Sequence, residues 1–166
     1  MQSDQKILTY LQVQKVARDL HNRGKRIVLT TGCYDLLHLG HILHLTYCKS
    51  RGDILVVSVG SDKTVRYLKG SDRPILSASI RARMLAALAC TDYVVISEEF
   101  GKIDHQELIN LLCPDIYIVP STDSHLRKKR SLVEYVGGKL MTCRRIPPTG
   151  AKGISTTKLL DLLDSL

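Results

Sequence analysis

Short apolar runs alternate along this chain with segments in which apolar residues recur every three or four positions. The runs predict five buried strands, at residues 27–29, 54–59, 93–96, 116–119 and 139–142. Strands that are apolar on both faces are typical of a parallel sheet covered by helices on each side. We therefore predict an α/β fold, with a Rossmann-like, doubly wound parallel sheet of five strands and helices on both faces. The chain is expected to form a single domain, 1–166.

The helical segments follow from the spacing of apolar residues. Val13, Val16, Ala17 and Leu20 lie on one face of a helix that precedes the first strand. Further helices are expected at about Gly40 to Cys48, through Val65 and Leu68, through Met84 and Leu88, at 108–112, at 126–136, and at the end of the chain through Leu159 and Leu166. Strands and helices therefore alternate throughout.

Composition narrows the class of protein. Of 166 residues, 44% are hydrophobic and 24% are charged, and no run approaches the ~20 apolar residues of a membrane span. The five cysteines are scattered without any C-x-x-C pair, so the pattern indicates neither a zinc site nor a disulfide framework. The polar N-terminus lacks the apolar region of a signal peptide. We expect a cytoplasmic protein with free thiols.

The formal net charge of +8 favours anionic partners without specifying them. Single-stranded nucleic-acid binders stack bases on aromatic side chains, and this chain has one Phe and no Trp. The basic run Arg127–Arg130 is interpreted as the solvated face of a helix. The alternative is that it binds a phosphorylated substrate or a partner subunit. We expect no nucleic-acid partner and no membrane partner.

The segment Thr30–His41 follows the first strand and leads into a helix. Gly32 allows a sharp turn or a close approach of the backbone to a ligand. His38 and His41 are three positions apart, so they can share one face of a helical turn, and Gly40 keeps the surface beside them open. Two imidazoles at a helix N-terminus suit a polyphosphate. The alternative is two surface histidines near a turn.

A second candidate site lies at Gly153–Thr157, directly before the last predicted helix. Three consecutive hydroxyl residues follow Gly153 and Ile154, and Lys152 and Lys158 flank the segment. Such a segment can bind phosphate with hydroxyls and helix N–H groups. The alternative is helix capping by Ser155, for which one hydroxyl is enough.

The two segments together resemble the G-x-F-D-x-x-H-x-G-H and I-S-T-T motifs of the cytidylyltransferase-like nucleotidyltransferases, with Tyr34 in place of the usual Phe. Between them, Gly60-Ser61-Asp62, Leu68-Lys69-Gly70, Arg73-Pro74 and Arg83-Met84 occur in an order that resembles the heptose-1-phosphate adenylyltransferases, including the transferase half of bifunctional heptose synthesis enzymes. The segment Val119–His125 departs from that branch. Gly153–Thr157 is also similar to the alcohol-phosphate cytidylyltransferases, so the choice between ATP and CTP stays open.

The resemblance implies transfer of AMP from ATP to a sugar 1-phosphate such as heptose 1-phosphate, with release of pyrophosphate. The alternatives are a CTP-dependent cytidylyltransferase for a small alcohol phosphate or phosphonate, a non-catalytic nucleotide-binding protein, and a basic nucleic-acid-binding module. Mg²⁺ is expected with the triphosphate, and a homodimer is expected. His44, one turn beyond the motif, is expected to matter little. Cys33 is expected to contribute its backbone and not its thiol.

The resemblance also assigns roles to residues. The catalytic set is His38, His41, Lys69 and Arg83. The nucleotide-binding set is Thr31, Gly32, Cys33, Tyr34, Asp35, Gly40, Asp62, Arg73, Gly153, Ile154, Ser155, Thr156 and Thr157. Ser121 and Asp123 are assigned to the second substrate, and no residue is assigned as a dedicated metal ligand.

Overall fold

A computed structural model describes residues 3–101, 103 and 105–144. The predicted last helix and the segment Gly153–Thr157 lie outside these residues.

The described residues form one parallel sheet of six strands. The strands are β1 (Ile7–Leu8), β2 (Ile27–Gly32), β3 (Ile54–Val59), β4 (Tyr93–Ile96), β5 (Ile116–Pro120) and β6 (Lys139–Cys143). Their order across the sheet is β1-β4-β3-β2-β5-β6, and every neighbouring pair is parallel. The predicted α/β class and the five predicted strands are confirmed. The predicted number of strands is wrong, because the two-residue edge strand β1 is too short to produce an apolar pattern.

Six helices connect the strands in the described part of the chain. They are α1 (Tyr10–Asn22), α2 (Leu39–Lys49), α3 (Asp62–Lys69), α4 (Ala78–Ala86), α5 (Gln106–Leu112) and α6 (Leu126–Tyr135), and a short 3₁₀ helix at Ser3–Lys6 precedes β1. Each of these six was predicted within a few residues. None of the helices in the described residues is long and apolar enough to cross a membrane.

Two apolar layers cover the sheet. Buried residues of α1, α5 and α6, such as Val13, Ile109 and Val133, pack with Leu29 and Tyr117 on one face. The side chains of α2 and α4 pack on the other face with inward residues of β2, β3 and β5. Because successive side chains of a strand point to opposite faces, each central strand supplies both layers, which explains its continuous apolar run.

The strand order sets the position of the site. From β2 the chain continues to β3 on one side, whereas β5 and β6 lie on its other side. The direction of winding therefore reverses between β2 and β5, and ligands of such sheets bind beyond the carboxyl ends of the strands at this reversal. The Thr30–His41 segment begins at the end of β2, and Ser121 follows β5 directly.

Candidate active site at the carboxyl end of the sheet

The turn after β2 is shaped by Gly32 and Tyr34. Tyr34 is buried and has a backbone φ of +50°, a conformation uncommon outside glycine. A Cβ atom at position 32 would lie 2.9 Å from Tyr34 Cε2, closer than side chains tolerate. Glycine is therefore needed at position 32 so that the Tyr34 ring can fold beneath the end of β2.

The two motif histidines are brought together at the start of α2. His38 is the residue before the helix and has an extended backbone, and His41 is in its first turn. Their rings stack with centroids 3.8 Å apart and an interplanar angle of 23°. The His41 ring also meets the Tyr34 ring edge-on, with centroids 5.3 Å apart. The predicted common face is confirmed, although His38 precedes the helix and does not lie within it.

Gly40 lies against the His38 ring. A Cβ atom at this position would be 3.1 Å from both Cε1 and Nδ1 of His38. A larger residue would push the imidazole from its stacked position. Gly40 therefore leaves room for the histidine pair, as predicted from the motif.

Asp35 and Arg73 hold the loop before α4 against the turn. The buried Asp35 carboxylate accepts hydrogen bonds from the backbone N–H of Ile75 at 2.8 Å and of Leu76 at 3.2 Å. Its other oxygen is 2.7 Å from Nε of Arg73. Both residues were predicted to contact nucleotide, which stays a prediction, and the structure pairs them with each other. Their effect on a ligand would come through the position of this loop.

Arg81 is a residue of the candidate site that sequence reasoning missed. Its guanidinium is fully buried in the first turn of α4. It donates to the carbonyl oxygens of Cys33, Gly60 and Leu76 and to the carboxylate of Asp62. The Asp62 contact is 2.6 Å long. One arginine thus joins the turn after β2, the end of β3, the start of α3 and the loop before α4.

The two other predicted cations lie apart from this network. Arg83 is exposed on α4, and its ion pair is with Asp4 at 3.5 Å. Arg81, two residues earlier on the same helix, faces the turn instead, and a catalytic role for Arg83 stays a prediction. Lys69 is exposed as the last residue of α3.

The segment after β5 is held by a nearly buried ion pair. Asp123 contacts Nζ of Lys129 at 2.7 Å and accepts a hydrogen bond from the His125 N–H at 2.8 Å. Burial by itself would raise the pKa of Asp123, but these hydrogen bonds and the positive charge of Lys129 lower it overall. Asp123, predicted to bind substrate, is therefore engaged within the protein, whereas Ser121 is exposed.

The basic run on α6 divides into two environments. Arg127, Lys128 and Arg130 are exposed, as expected for a solvated helix face. Lys129 is buried, and its ammonium also lies 5.8 Å from the centre of the Tyr117 ring. The interpretation as a solvated face is therefore wrong for Lys129.

Thr31 connects the site to the other side of the sheet. Its hydroxyl lies 2.8 Å from the hydroxyl of the buried Tyr117, which is in turn 2.8 Å from Nε2 of the buried His105. The Thr31 side chain is thereby oriented at the end of β2. A hydrogen-bond chain of this length could not be inferred from the sequence, because its members lie far apart along the chain.

Carboxylates near the turn are already paired with arginines. Within the described residues, no group of three or more His, Cys, Asp or Glu side chains is arranged to hold a metal ion.

Comparison with known proteins shows the family to which the chain belongs. The sequence pattern of the cytidylyltransferase-like family matches residues 29–161. The chain belongs to the cytidylyltransferase-like family. The match begins just before the Gly32–His41 motif and continues beyond the described residues, through Gly153–Thr157. The resemblance inferred from the two motifs is therefore confirmed.

Several bacterial relatives share the name bifunctional protein HldE. The protein of a Nitratiruptor species is 43% identical over 143 residues, which are 82% of this chain and 30% of that protein. The protein of Aliarcobacter butzleri is 38% identical over 147 residues, which are 84% of this chain and 30% of that protein. This family member thus spans about 30% of the length of these curated relatives.

Two solved structures have similar folds. A lipopolysaccharide core biosynthesis protein from Thermoplasma volcanium is 27% identical, with a TM-score of 0.62, over 74% of this chain and 98% of that one. A pantoate-beta-alanine ligase from Francisella tularensis has the same TM-score of 0.62 at 16% identity, over 95% of this chain and 76% of that one. The second likeness concerns the fold alone.

Proposed function

We propose that this chain is a nucleotidyltransferase that transfers AMP from ATP to a sugar 1-phosphate such as heptose 1-phosphate. The observation that carries this proposal is the stacked His38–His41 pair at the start of α2, in a chain of the cytidylyltransferase-like family. The similarity to the HldE proteins and to a lipopolysaccharide core biosynthesis protein supports a sugar phosphate as acceptor.

In the proposed reaction, an oxygen of the sugar phosphate attacks the α-phosphorus of ATP. The bond from this phosphorus to the bridging oxygen of the β-phosphate breaks, and pyrophosphate leaves. A phosphate monoester has a second pKa of about 6, so it is mostly dianionic at neutral pH and needs no general base. The task of the protein is then to position the reactants and to counter the charge that develops.

The residues of the site suit these tasks. His38 and His41 would donate to the bridging and leaving oxygens. Arg81 would hold the turn that presents them, and the exposed Lys69 would neutralise phosphate. The hydroxyls of Ser155 and Thr156 would bind the triphosphate. Because Asp35 and Asp62 are engaged with arginines, Mg²⁺ would be bound chiefly by triphosphate oxygens and water, and it would supply charge neutralisation.

A second candidate function is transfer of CMP from CTP to a small alcohol phosphate. The Gly153–Thr157 segment favours it, because this segment resembles the alcohol-phosphate cytidylyltransferases. Asp123, in the segment that departs from the heptose branch, is paired with Lys129 of α6. The chemistry at the α-phosphorus would be the same, and only the base and the acceptor would differ.

A pyrophosphate-release panel tests the proposal. Each of four nucleoside triphosphates is combined with a set of sugar 1-phosphates and alcohol phosphates, with Mg²⁺ or with EDTA. We expect magnesium-dependent release from ATP with a sugar 1-phosphate. Release from CTP alone would overturn the adenylyl assignment and favour the second candidate. No release from any pair would contradict nucleotidyl transfer altogether.

A further inference from the structure

His44 occupies an unusual position one turn beyond His41 on α2. Its Nε2 atom lies 2.9 Å from the Thr30 hydroxyl of β2 and 3.5 Å from Sγ of Cys48 on the same helix. Its Nδ1 atom lies 3.2 Å from Sγ of Cys143, the last residue of β6. One imidazole therefore links the histidine-bearing helix to two strands of the sheet.

The hydrogen bonds determine which ring nitrogen carries the proton. A hydroxyl has one proton to donate, and the Thr30 hydroxyl donates to the carbonyl oxygen of Ile118 at 3.0 Å. Thr30 must then accept from His44, so Nε2 is protonated. In the neutral ring Nδ1 is an acceptor, and it lies 3.2 Å from the Cys143 thiol, closer than the other acceptor of that thiol, the carbonyl oxygen of Val119 at 3.8 Å. Burial raises the pKa of this thiol, which favours the protonated, donating form.

His44 and Thr30 are connected to the histidine pair through Tyr34. Burial raises the pKa of the Tyr34 phenol, and a hydrogen bond with the Thr30 side chain offsets this in part. The Tyr34 ring meets the His41 ring edge-on, and His41 stacks on His38. A continuous set of contacts therefore leads from His44 through Thr30 and Tyr34 to the two imidazoles.

Apolar packing holds α2 less firmly than it holds α1. Two side chains of α2, Leu45 and Cys48, are buried, whereas α1 has four buried side chains. The side chain of His38 also makes no capping hydrogen bond at the N-terminus of α2. The polar contacts of His44 are therefore a substantial part of what fixes this helix on the sheet.

We propose that His44, as the neutral Nε2–H tautomer, is a positioning residue that sets the orientation of the His38–His41 pair through Thr30, Tyr34 and Cys143. The inference rests on the proposed nucleotidyl transfer for its kinetic consequence. The proposed tautomer of His44 and its effect on the orientation of His38 and His41 do not depend on whether the chain turns over substrate. The expectation that His44 would matter little is replaced by this role, because the ring is half-buried and contacts two strands of the sheet.

The test compares His44→Leu, which keeps the bulk of the ring without its polar atoms, with His44→Gln, whose amide can still donate to Thr30. Ile109→Val is the matched control, because Ile109 is fully buried in the opposite apolar layer. Imidazole nitrogen–proton NMR spectra of the full chain report the tautomer of His44 and the environments of His38 and His41. Melting temperature, ATP affinity and turnover are measured on the same samples.

We expect the wild-type spectrum to show His44 with its proton on Nε2. In His44→Leu the resonances of His38 and His41 should shift and kcat should fall about tenfold, while the affinity for ATP changes little. His44→Gln should recover part of kcat. Ile109→Val should lower the melting temperature without either effect.

Any of three results would overturn the inference. The first is that His44 carries its proton on Nδ1, and the second is that the resonances of His38 and His41 do not move in His44→Leu. The third is that kcat of His44→Leu falls no further than kcat of Ile109→Val at a similar loss of melting temperature. If the wild-type chain releases no pyrophosphate, the proposed function fails, and the spectra alone still decide whether His44 positions the pair.

Discussion

At the scale of single residues, the proposed chemistry depends chiefly on the stacked imidazoles of His38 and His41. Their ring centroids are 3.8 Å apart, and Gly40 and Tyr34 restrict the rings from the side and from below. A group held in this way does not need to reorganise when charge builds up on a phosphate oxygen. Donors that are already in place act mainly in the transition state.

Replacing His41 by alanine should therefore lower turnover far more than it weakens ATP binding. Removing one preorganised donor typically costs on the order of 3 kcal/mol, or about 10²–10³ in kcat. Steady-state turnover, ATP titration and thermal melting of His41→Ala separate these quantities.

Thr46→Ala provides the comparison, because Thr46 is exposed on the same helix. This variant should retain turnover and stability. Normal turnover in His41→Ala would contradict the proposed role, and so would a loss of turnover explained entirely by unfolding.

At the scale of elements, Arg81 connects four segments that the sheet alone would leave independent. Its guanidinium, 0% exposed, binds three backbone carbonyl oxygens and the Asp62 carboxylate. The planar fork of arginine can reach several acceptors at fixed angles, which the single ammonium of lysine cannot do. The turn after β2 thus depends on a residue of α4 for its position.

Arg81→Ala should destabilise the fold on the order of 3 kcal/mol, because it leaves buried carbonyl oxygens and a carboxylate without their donor. Turnover should also fall, since the turn that carries the histidines loses its support. Urea denaturation and pyrophosphate release measure the two effects.

Arg83→Ala is the matched control, two residues further along the same helix. Arg83 is exposed and forms a 3.5 Å ion pair with Asp4, so its loss should change stability by no more than about 0.5 kcal/mol. If Arg83→Ala abolished turnover while Arg81→Ala did not, the assignment of these two residues would be reversed.

At the scale of the whole molecule, the buried thiols set an upper limit to the pH range of stability. Burial raises the pKa of Cys48 from 9.0 to about 12. Above pH 9 the thiol therefore ionises more readily in the unfolded chain than in the folded one. This contribution to stability is fully present below pH 9 and is lost as the pH rises.

Between pH 7 and pH 10 the free energy of unfolding should therefore fall by about 1.4 kcal/mol through Cys48 alone. Urea titrations of wild type and Cys48→Ala at both pH values check this. Other groups also titrate in this range, so the difference between the two slopes is the relevant quantity. Equal slopes would show that Cys48 ionises alike in both states.

The sequence alone determined the features that depend on neighbouring residues. Apolar runs located β2 to β6, because a strand buried on both faces must be apolar throughout. The spacing of His38 and His41 and the glycine at position 40 predicted an imidazole pair, because three positions correspond to nearly one helical turn. The two-residue strand β1 was not predicted, because it contains too few residues to show an apolar pattern.

Only the tertiary structure decided which distant residues support the site. Arg81 lies 48 positions from Cys33, and Cys143 lies 99 positions from His44. Arg81 and Arg83 are the same residue type on one helix, and helix rotation against the sheet decides which one is buried. The sequence assigned Asp123 to the second substrate and Lys129 to a solvated helix face, and only the packing of α6 brings their side chains into an ion pair. Side-chain contacts across elements depend on this packing, and no local pattern of residue types encodes them.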